Sequence, residues 1–192
     1  MKKFELTTNT KIVFGKKLFQ IKALVSFRNV EKGDLGGWIE KEENLSQEGN
    51  AWVYGNAEVS GNAWVYGNAR VSGNAWVYGN ARVSGNAWVY GNARVSGNAE
   101  VSGNAWVSGN ARVSGNAWVS GNACYATIKG FGTCNRNTTF FECKDGKVRV
   151  VCGCFYGDLD EFRKQVKDTR TGKVAEEYLM IADLMEMHFK ED

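Results

Sequence analysis

The sequence carries a single histidine, His188, in 192 residues. A zinc site built from three histidines is therefore excluded. His188 falls in the last helical stretch, where a helix-face or helix-end residue is the expected role rather than a general base. Five cysteines, at 124, 134, 143, 152 and 154, include no Cys-Xaa-Xaa-Cys pair. Cys152-Gly153-Cys154 alone is two ligands short of a zinc centre, so no metal is expected and the thiols read as small reduced core residues. No apolar run approaches 18 residues, and Met1-Lys2-Lys3 leads into Phe4-Glu5-Leu6-Thr7 without the apolar core of a signal peptide. A cytoplasmic location with no membrane span is the expectation. Neither sign of charge dominates: 24 Lys and Arg stand against 21 Asp and Glu, a net +3. The electrostatic signature of a duplex-binding protein is missing, so nucleic acid is not an expected partner. Gly-Lys-Ser/Thr and Gly-Xaa-Gly-Xaa-Xaa-Gly patterns are missing too, and no cofactor is expected. What the chain does have is 43% hydrophobic and 12% aromatic residues, which excludes general disorder.

The dominant feature is a hexapeptide. From Ala51 to Asn122 the chain reads Ala-Xaa-Val-Xaa-Gly-Asn twelve times, with valine at every sixth position from 53 to 119. In an extended segment Ala and Val, two apart, share one side while the residue between them takes the other. Gly-Asn supplies a corner, since these residues enter left-handed backbone conformations most readily. Each unit is one strand and one corner. Three units close a triangular circuit of 18 residues, and circuits stack about 4.8 Å apart. The pattern resembles the hexapeptide repeat of left-handed β-helix proteins. The fold expected is therefore mainly β: a left-handed parallel β-helix of about four coils, with an N-terminal cap and a small α+β C-terminal domain.

The residue between Ala and Val alternates Trp with Arg or Glu on a twelve-residue rhythm, while a circuit takes 18. Grouping positions 18 apart gives three outward faces: Trp52, Arg70, Trp88, Trp106; Glu58, Trp76, Arg94, Arg112; and Trp64, Arg82, Glu100, Trp118. Trp and Arg become vertical neighbours, close enough for cation–π contact. Six outward tryptophans (Trp52, Trp64, Trp76, Trp88, Trp106, Trp118), joined by Tyr54, Tyr66, Tyr78 and Tyr90, are more apolar surface than a monomer leaves uncovered. By analogy with the resembled repeat proteins, these tryptophans are expected at the interfaces of a homotrimer.

Residues 1–50 form the expected N-terminal β cap, 51–123 the β-helix and 124–192 the C-terminal domain. In the cap, Lys11 to Phe14 and Leu18 to Leu24 read as strands joined at Gly15-Lys16-Lys17. Leu45 to Val53 is eight residues rather than six, a two-residue irregularity in the first coil. At the other end, Thr138 to Lys144 and Lys147 to Phe155 flank Asp145-Gly146 as a hairpin. Asp158 with Glu161 marks a helix start, and Ala175 to Phe189 reads as a second helix with Tyr178, Leu179, Ala182, Met185 and Phe189 in its stripe. Before the hairpin, Lys129 to Thr139 reads as a glycine- and hydroxyl-rich loop suited to an anion. Asn135, Arg136, Thr138, Thr139 and Arg149 are the candidate ligand contacts.

The ends also resemble a group of phage and prophage proteins that join Gly-Asp-Leu-Gly-Gly-Trp-Ile, here Gly33 to Ile39, to hexapeptide repeats. The group often ends in a segment matched here by Gly153, Cys154, Phe155, Gly157, Leu159, Glu161 and Phe162, preceded by a strand matched by Thr138 to Phe140. A His-Gly associated with its interhelical turn is Thr171-Gly172 here, so no role of that histidine carries over. The resemblance implies a phage or prophage origin and residence in the host cytosol. Many hexapeptide-repeat proteins are acyltransferases with a histidine base and a loop projecting from the coils; this chain lacks both. The expectation is a noncatalytic oligomeric binding protein that sequesters a small anionic ligand such as a host immune signalling nucleotide. The alternatives are a structural or protein-interaction module docking onto a host or virion protein, and an acyltransferase of unusual design.

Overall fold

The computed structural model describes residues 1–132 and 136–190. Its centre is a three-walled parallel β-helix. The twelve units supply twelve two-residue strands, β4 (Trp52–Val53), β5 (Glu58–Val59), β6 (Trp64–Val65) and so on every six residues to β15 (Trp118–Val119). Strands 18 residues apart pair in parallel, so Val53, Val71, Val89 and Val107 line one wall. Val65, Val83, Val101 and Val119 line a second. Val59, Val77, Val95 and Val113 line the third. Backbone bonds such as Trp88 N to Ala105 O at 2.9 Å tie each circuit to the next. Every alanine and valine of the units is at most 1% exposed. Burying each valine contributes about 1.5–3 kcal/mol, and their β-branched shape suits so narrow an interior.

The corners divide the work between two residues. Gly55 to Gly115 hold φ between +57° and +72°, while among the described residues only Phe14 (+47°) and Arg28 (+48°) have a positive φ without being glycine. The asparagines thus stay on the ordinary side of φ. Their amides form a ladder instead, as in Asn80 Nδ2 to Asn98 Oδ1 at 3.0 Å.

The N-terminal segment closes one end. β1 (Phe4–Val13) and β2 (Lys16–Ala23) form a hairpin, and β2 pairs with β3 (Leu35–Ile39). β3 then lies parallel on the third wall, with Trp38 beside Glu58 and Ile39 beside Val59, and Leu45 bridges to Val65. These offsets are 20 residues where the units keep 18, which is the two-residue irregularity before Val53. The added pieces bring the solenoid to about five turns. Gly36 and Gly37 are needed for this closure: a Cβ would stand 2.7 Å from Val53 O at Gly36 and 2.7 Å from Ala57 O at Gly37. The Lys3 ammonium reaches the carbonyl oxygens of Ala51 (2.9 Å) and Glu48 (3.4 Å) at the end of the stack. Burial there pushes its pKa down to about 8. The hairpin is longer than the expected Lys11 to Phe14 and Leu18 to Leu24. The polar run Thr7-Thr8-Asn9-Thr10 conceals the strand, and its register shifts between Leu6 and Thr10.

The C-terminal segment closes the other end with four antiparallel strands, β16 (Tyr125–Phe131), β17 (Arg136–Glu142), β18 (Val148–Cys152) and β19 (Phe155–Asp158). Two helices follow, α1 (Leu159–Thr169) and α2 (Gly172–His188). This is more than the expected single hairpin. The second predicted strand breaks at Gly153-Cys154, and part of the predicted anion loop is strand β16 with a register shift between Ile128 and Phe131. Strand alternation gives the sheet two buried faces. Phe141, Cys143 and Val151 join the prism core, while Phe140 and Val150 pack with Leu159, Phe162, Tyr178, Ile181 and Met185 of the helices. The last circuit is sealed by Arg112 N donating to Thr139 Oγ1 (3.0 Å) and Asn137 Nδ2 donating to Asn110 O (3.2 Å). Glu100 pairs with Lys144 at 2.8 Å and with Arg82, its expected neighbour, at 3.8 Å.

Candidate functional site

The outward tryptophans do not share one environment. Trp52 is 1% exposed, with Phe4 (ring centroids 6.3 Å apart) and Phe27 (5.4 Å) edge-on to it. It is covered by its own chain and is not available to a neighbouring subunit, which corrects the expectation for that residue. Trp76 is partly covered by Phe14 from the β1–β2 turn at 4.9 Å. Trp88 is half-buried, its indole N–H donating to Ser72 Oγ at 2.9 Å. Trp64, Trp106 and Trp118 are 42%, 50% and 47% exposed. Of the four vertical Trp and Arg neighbours that the 18-residue grouping gives, two are in cation–π contact among the described residues: Arg94 Cζ is 5.5 Å from the Trp76 ring and Arg70 Cζ 6.0 Å from that of Trp88.

The five residues expected to hold an anion do not gather. Asn135 lies outside the described residues. Thr138 is buried on the helix side, its hydroxyl donating to Cys152 Sγ at 3.2 Å. Thr139 is buried on the opposite side, where its hydroxyl oxygen accepts from Arg112 N. Adjacent residues of a strand point to opposite faces, so these two threonines cannot serve one ligand. Arg149 is bound to Asp145 at 2.6 Å. Asp145 itself is held below the usual carboxylate range, first by the Lys147 backbone N–H. Only Arg136 remains exposed, at the start of β17 with its guanidinium over Gly153.

Arg136 has other company. A groove of about 420 Å³ runs between the third wall and the β16–β17 hairpin, lined by Arg94, Arg112, Lys129 and Arg136 with Asn92, Asn110 and Asn137. Arg94 and Arg112 are stacked register partners on successive circuits. Among the described residues none of the four cations has an acidic partner, and no carboxylate lines the groove. Four like charges along one concave surface raise its potential and repel one another until an anion neutralises them. Guanidinium groups and amide N–H groups are the donors that phosphate oxygens accept from. Arg94, Arg112 and Lys129 were not among the sequence candidates. Their signal was present: the face Glu58, Trp76, Arg94, Arg112 is one where arginine recurs in successive circuits.

The groups that could do chemistry are elsewhere. His188 is exposed at the end of α2, edge-on to Phe189, and lines no part of the groove. The Cys143 thiol is buried and pushed up to about 11, which disfavours the thiolate. Among the described residues no three His, Cys, Asp or Glu side chains gather as metal ligands, and no helix is long and apolar enough to cross a membrane.

The YdcK beta solenoid repeat family matches six overlapping windows within residues 51–121, fewer than half of the chain. A 37-residue stretch is 51% identical to a protein of Escherichia coli (strain K12) described as uncharacterized acetyltransferase YdcK. That stretch covers 19% of this chain and 11% of the relative. The family windows fall entirely within the hexapeptide units, where four of six positions, Ala, Val, Gly and Asn, are those the prism geometry requires. The likeness therefore reports the scaffold. The chain is a repeat β-solenoid protein whose repeat block is similar to that of YdcK.

Proposed function

We propose that this chain is a noncatalytic oligomeric binding protein that holds a small phosphorylated ligand in the groove between the third wall and the C-terminal sheet. The observation that carries the reading is the convergence there of Arg94, Arg112, Lys129 and Arg136 without a carboxylate. The resemblance of Gly33–Ile39 and of the Gly153–Phe162 segment to phage and prophage proteins supports a viral origin. In that setting the ligand would be a host immune signalling nucleotide, sequestered in the host cytosol. Sequestration asks only for affinity, which a groove of donors supplies. A homotrimer is part of the same proposal. Trp64 and Trp118 stand on one wall and Trp106 on another, whereas the third wall is covered above by Phe14 and Lys11 of the β1–β2 hairpin, against Trp76 and Glu58, and bordered by the groove below. Two walls given to neighbours would leave the groove open to solvent.

The name of the short-matching relative supports a competing reading, since acetyl-coenzyme A also carries phosphates that the groove would attract. One experiment separates them. Protein purified from its native host is heated, and the released small molecules are identified by mass spectrometry. The same protein is then titrated calorimetrically with a cyclic dinucleotide and with acetyl-coenzyme A. A retained nucleotide lost in Arg112→Glu, whose side chain is exposed, supports the proposal. Turnover of acetyl-coenzyme A overturns the noncatalytic reading. No retained or titratable phosphorylated ligand overturns the binding reading, and a stoichiometric protein partner in its place supports the docking module.

A further inference from the structure

Beside the groove lies a second depression on the helix side of the sheet. It is a slot of about 180 Å³ between α1 and the ends of β17 and β18. Its floor is aromatic: Phe155, Phe162 and Tyr178, with Phe155 and Phe162 ring centroids 5.5 Å apart. Its mouth carries Arg136, Arg170 and the Thr169 side chain. No carboxylate lines it, and among the described residues Arg170 has no acidic partner. A volume of this size is below the roughly 300–1,000 Å³ of a complete small-molecule site, so it suits a fragment of a ligand. Aromatic rings and guanidinium planes are the surfaces on which nucleobases stack.

The slot and the groove share Arg136. A molecule filling both has a planar ring at one end and phosphate at the other, joined past one guanidinium by a short spacer. We infer that the slot is the base-binding half of a nucleotide site whose phosphate half is the groove. This rests on the groove reading and extends it: the base of the nucleotide has its own subsite apart from the phosphates, and α1 takes part in recognising it.

The test uses the full chain and calorimetry with sodium pyrophosphate, ADP, GDP and UDP. Pyrophosphate reports the groove alone, and each nucleoside diphosphate adds a ring to the same anion. At least one nucleotide is expected to bind between about 5-fold and 150-fold more tightly than pyrophosphate, the ratio corresponding to a base–aromatic stack. Thr169→Trp, which fills the mouth of the slot from the last turn of α1, is expected to bring that nucleotide down to the affinity of pyrophosphate and to leave pyrophosphate unchanged. Binding of pyrophosphate with no gain from any of the three rings overturns the slot and leaves the groove standing. A gain that survives Thr169→Trp also overturns it. Failure of all four probes overturns the groove reading itself.

Discussion

Replacing Gly85 by alanine tests how tightly the circuits are stacked, because Gly109 provides a matched control on the same scaffold. Both hold nearly the same left-handed conformation, φ +64° at Gly85 and +63° at Gly109. A Cβ on Gly109 meets nothing within 4 Å, for no further unit lies beyond it. A Cβ on Gly85 would stand 2.8 Å from Gly103 N and 2.9 Å from Gly103 O. Those are backbone atoms, which cannot rotate away. Gly109→Ala therefore carries only the left-handed penalty of about 1–2 kcal/mol, reduced by the smaller entropy of the unfolded chain to about 1 kcal/mol net. Gly85→Ala adds overpacking, and the corner must open at the expense of Asn86 N to Gly103 O (2.8 Å) and the Asn86–Asn104 rung (3.2 Å). Its expected cost is about 2–4 kcal/mol. At roughly 2–4 °C per kcal/mol for a chain of this size, the melting temperature falls by a few degrees in Gly109→Ala and by about 5–15 °C in Gly85→Ala. Thermal unfolding by circular dichroism and urea unfolding by tryptophan fluorescence both read the difference. Equal losses in the two variants would refute the argument that the neighbouring circuit, rather than φ alone, demands glycine.

Two further outcomes follow from the C-terminal domain. Asp158 caps α1, its carboxylate accepting from Glu161 N at 3.0 Å while Glu161 Oε2 accepts from Asp158 N at 2.8 Å. The Glu161 N–H, with Lys147, holds the Asp158 carboxyl below its ordinary range. Because the folded pKa is the lower one, the stabilisation is complete above about pH 4 and is lost as pH falls through the folded value. Asp158→Ala should cost about 1 kcal/mol near neutral pH, and urea midpoints should show that cost shrinking below about pH 4. A pH-independent loss would contradict the cap. Cysteine reactivity gives the second: iodoacetamide at about pH 8 should alkylate exposed Cys154 well before Cys143, whose buried thiol lies near 11. Peptide mass spectrometry measures both, and matching rates would contradict the burial.

The prism was legible from six letters because Ala and Val at i and i+2, with Gly at a fixed corner, leave little else for the chain to do. The vertical pairs Arg94 with Trp76 and Glu100 with Arg82 followed from counting in eighteens. Trp52 was not legible. It occupies the same place in its unit as Trp106, and what distinguishes it is a lid made by Phe4 and Phe27, from a segment with no repeat to fix its position. The candidate site was misread for a related reason. Gly130 and Gly132 looked like loop, yet with φ of +98° and +69° they are the irregular end of a hairpin whose strands carry Thr138 and Thr139 to opposite faces. Arg94 and Arg112 stood in plain view as consecutive members of one face. Which wall the C-terminal sheet lies against is a matter of three-dimensional docking that no local pattern records.

The rotation of 120° per unit has a consequence for how such a chain can change length. Inserting or deleting one hexapeptide leaves the interior undisturbed, yet it swings one lid a third of the way around the axis relative to the other. Where the change falls between Arg112 and the C-terminal sheet, Arg136 would then face a wall whose outermost rungs are no longer Arg94 and Arg112. Only changes of three units keep the lids in phase, and because the Trp and Arg rhythm comes back into step with the walls only every 36 residues, six units are needed to restore both. A chain free to copy its own repeat is thus held to a coarse ruler by what sits at its two ends.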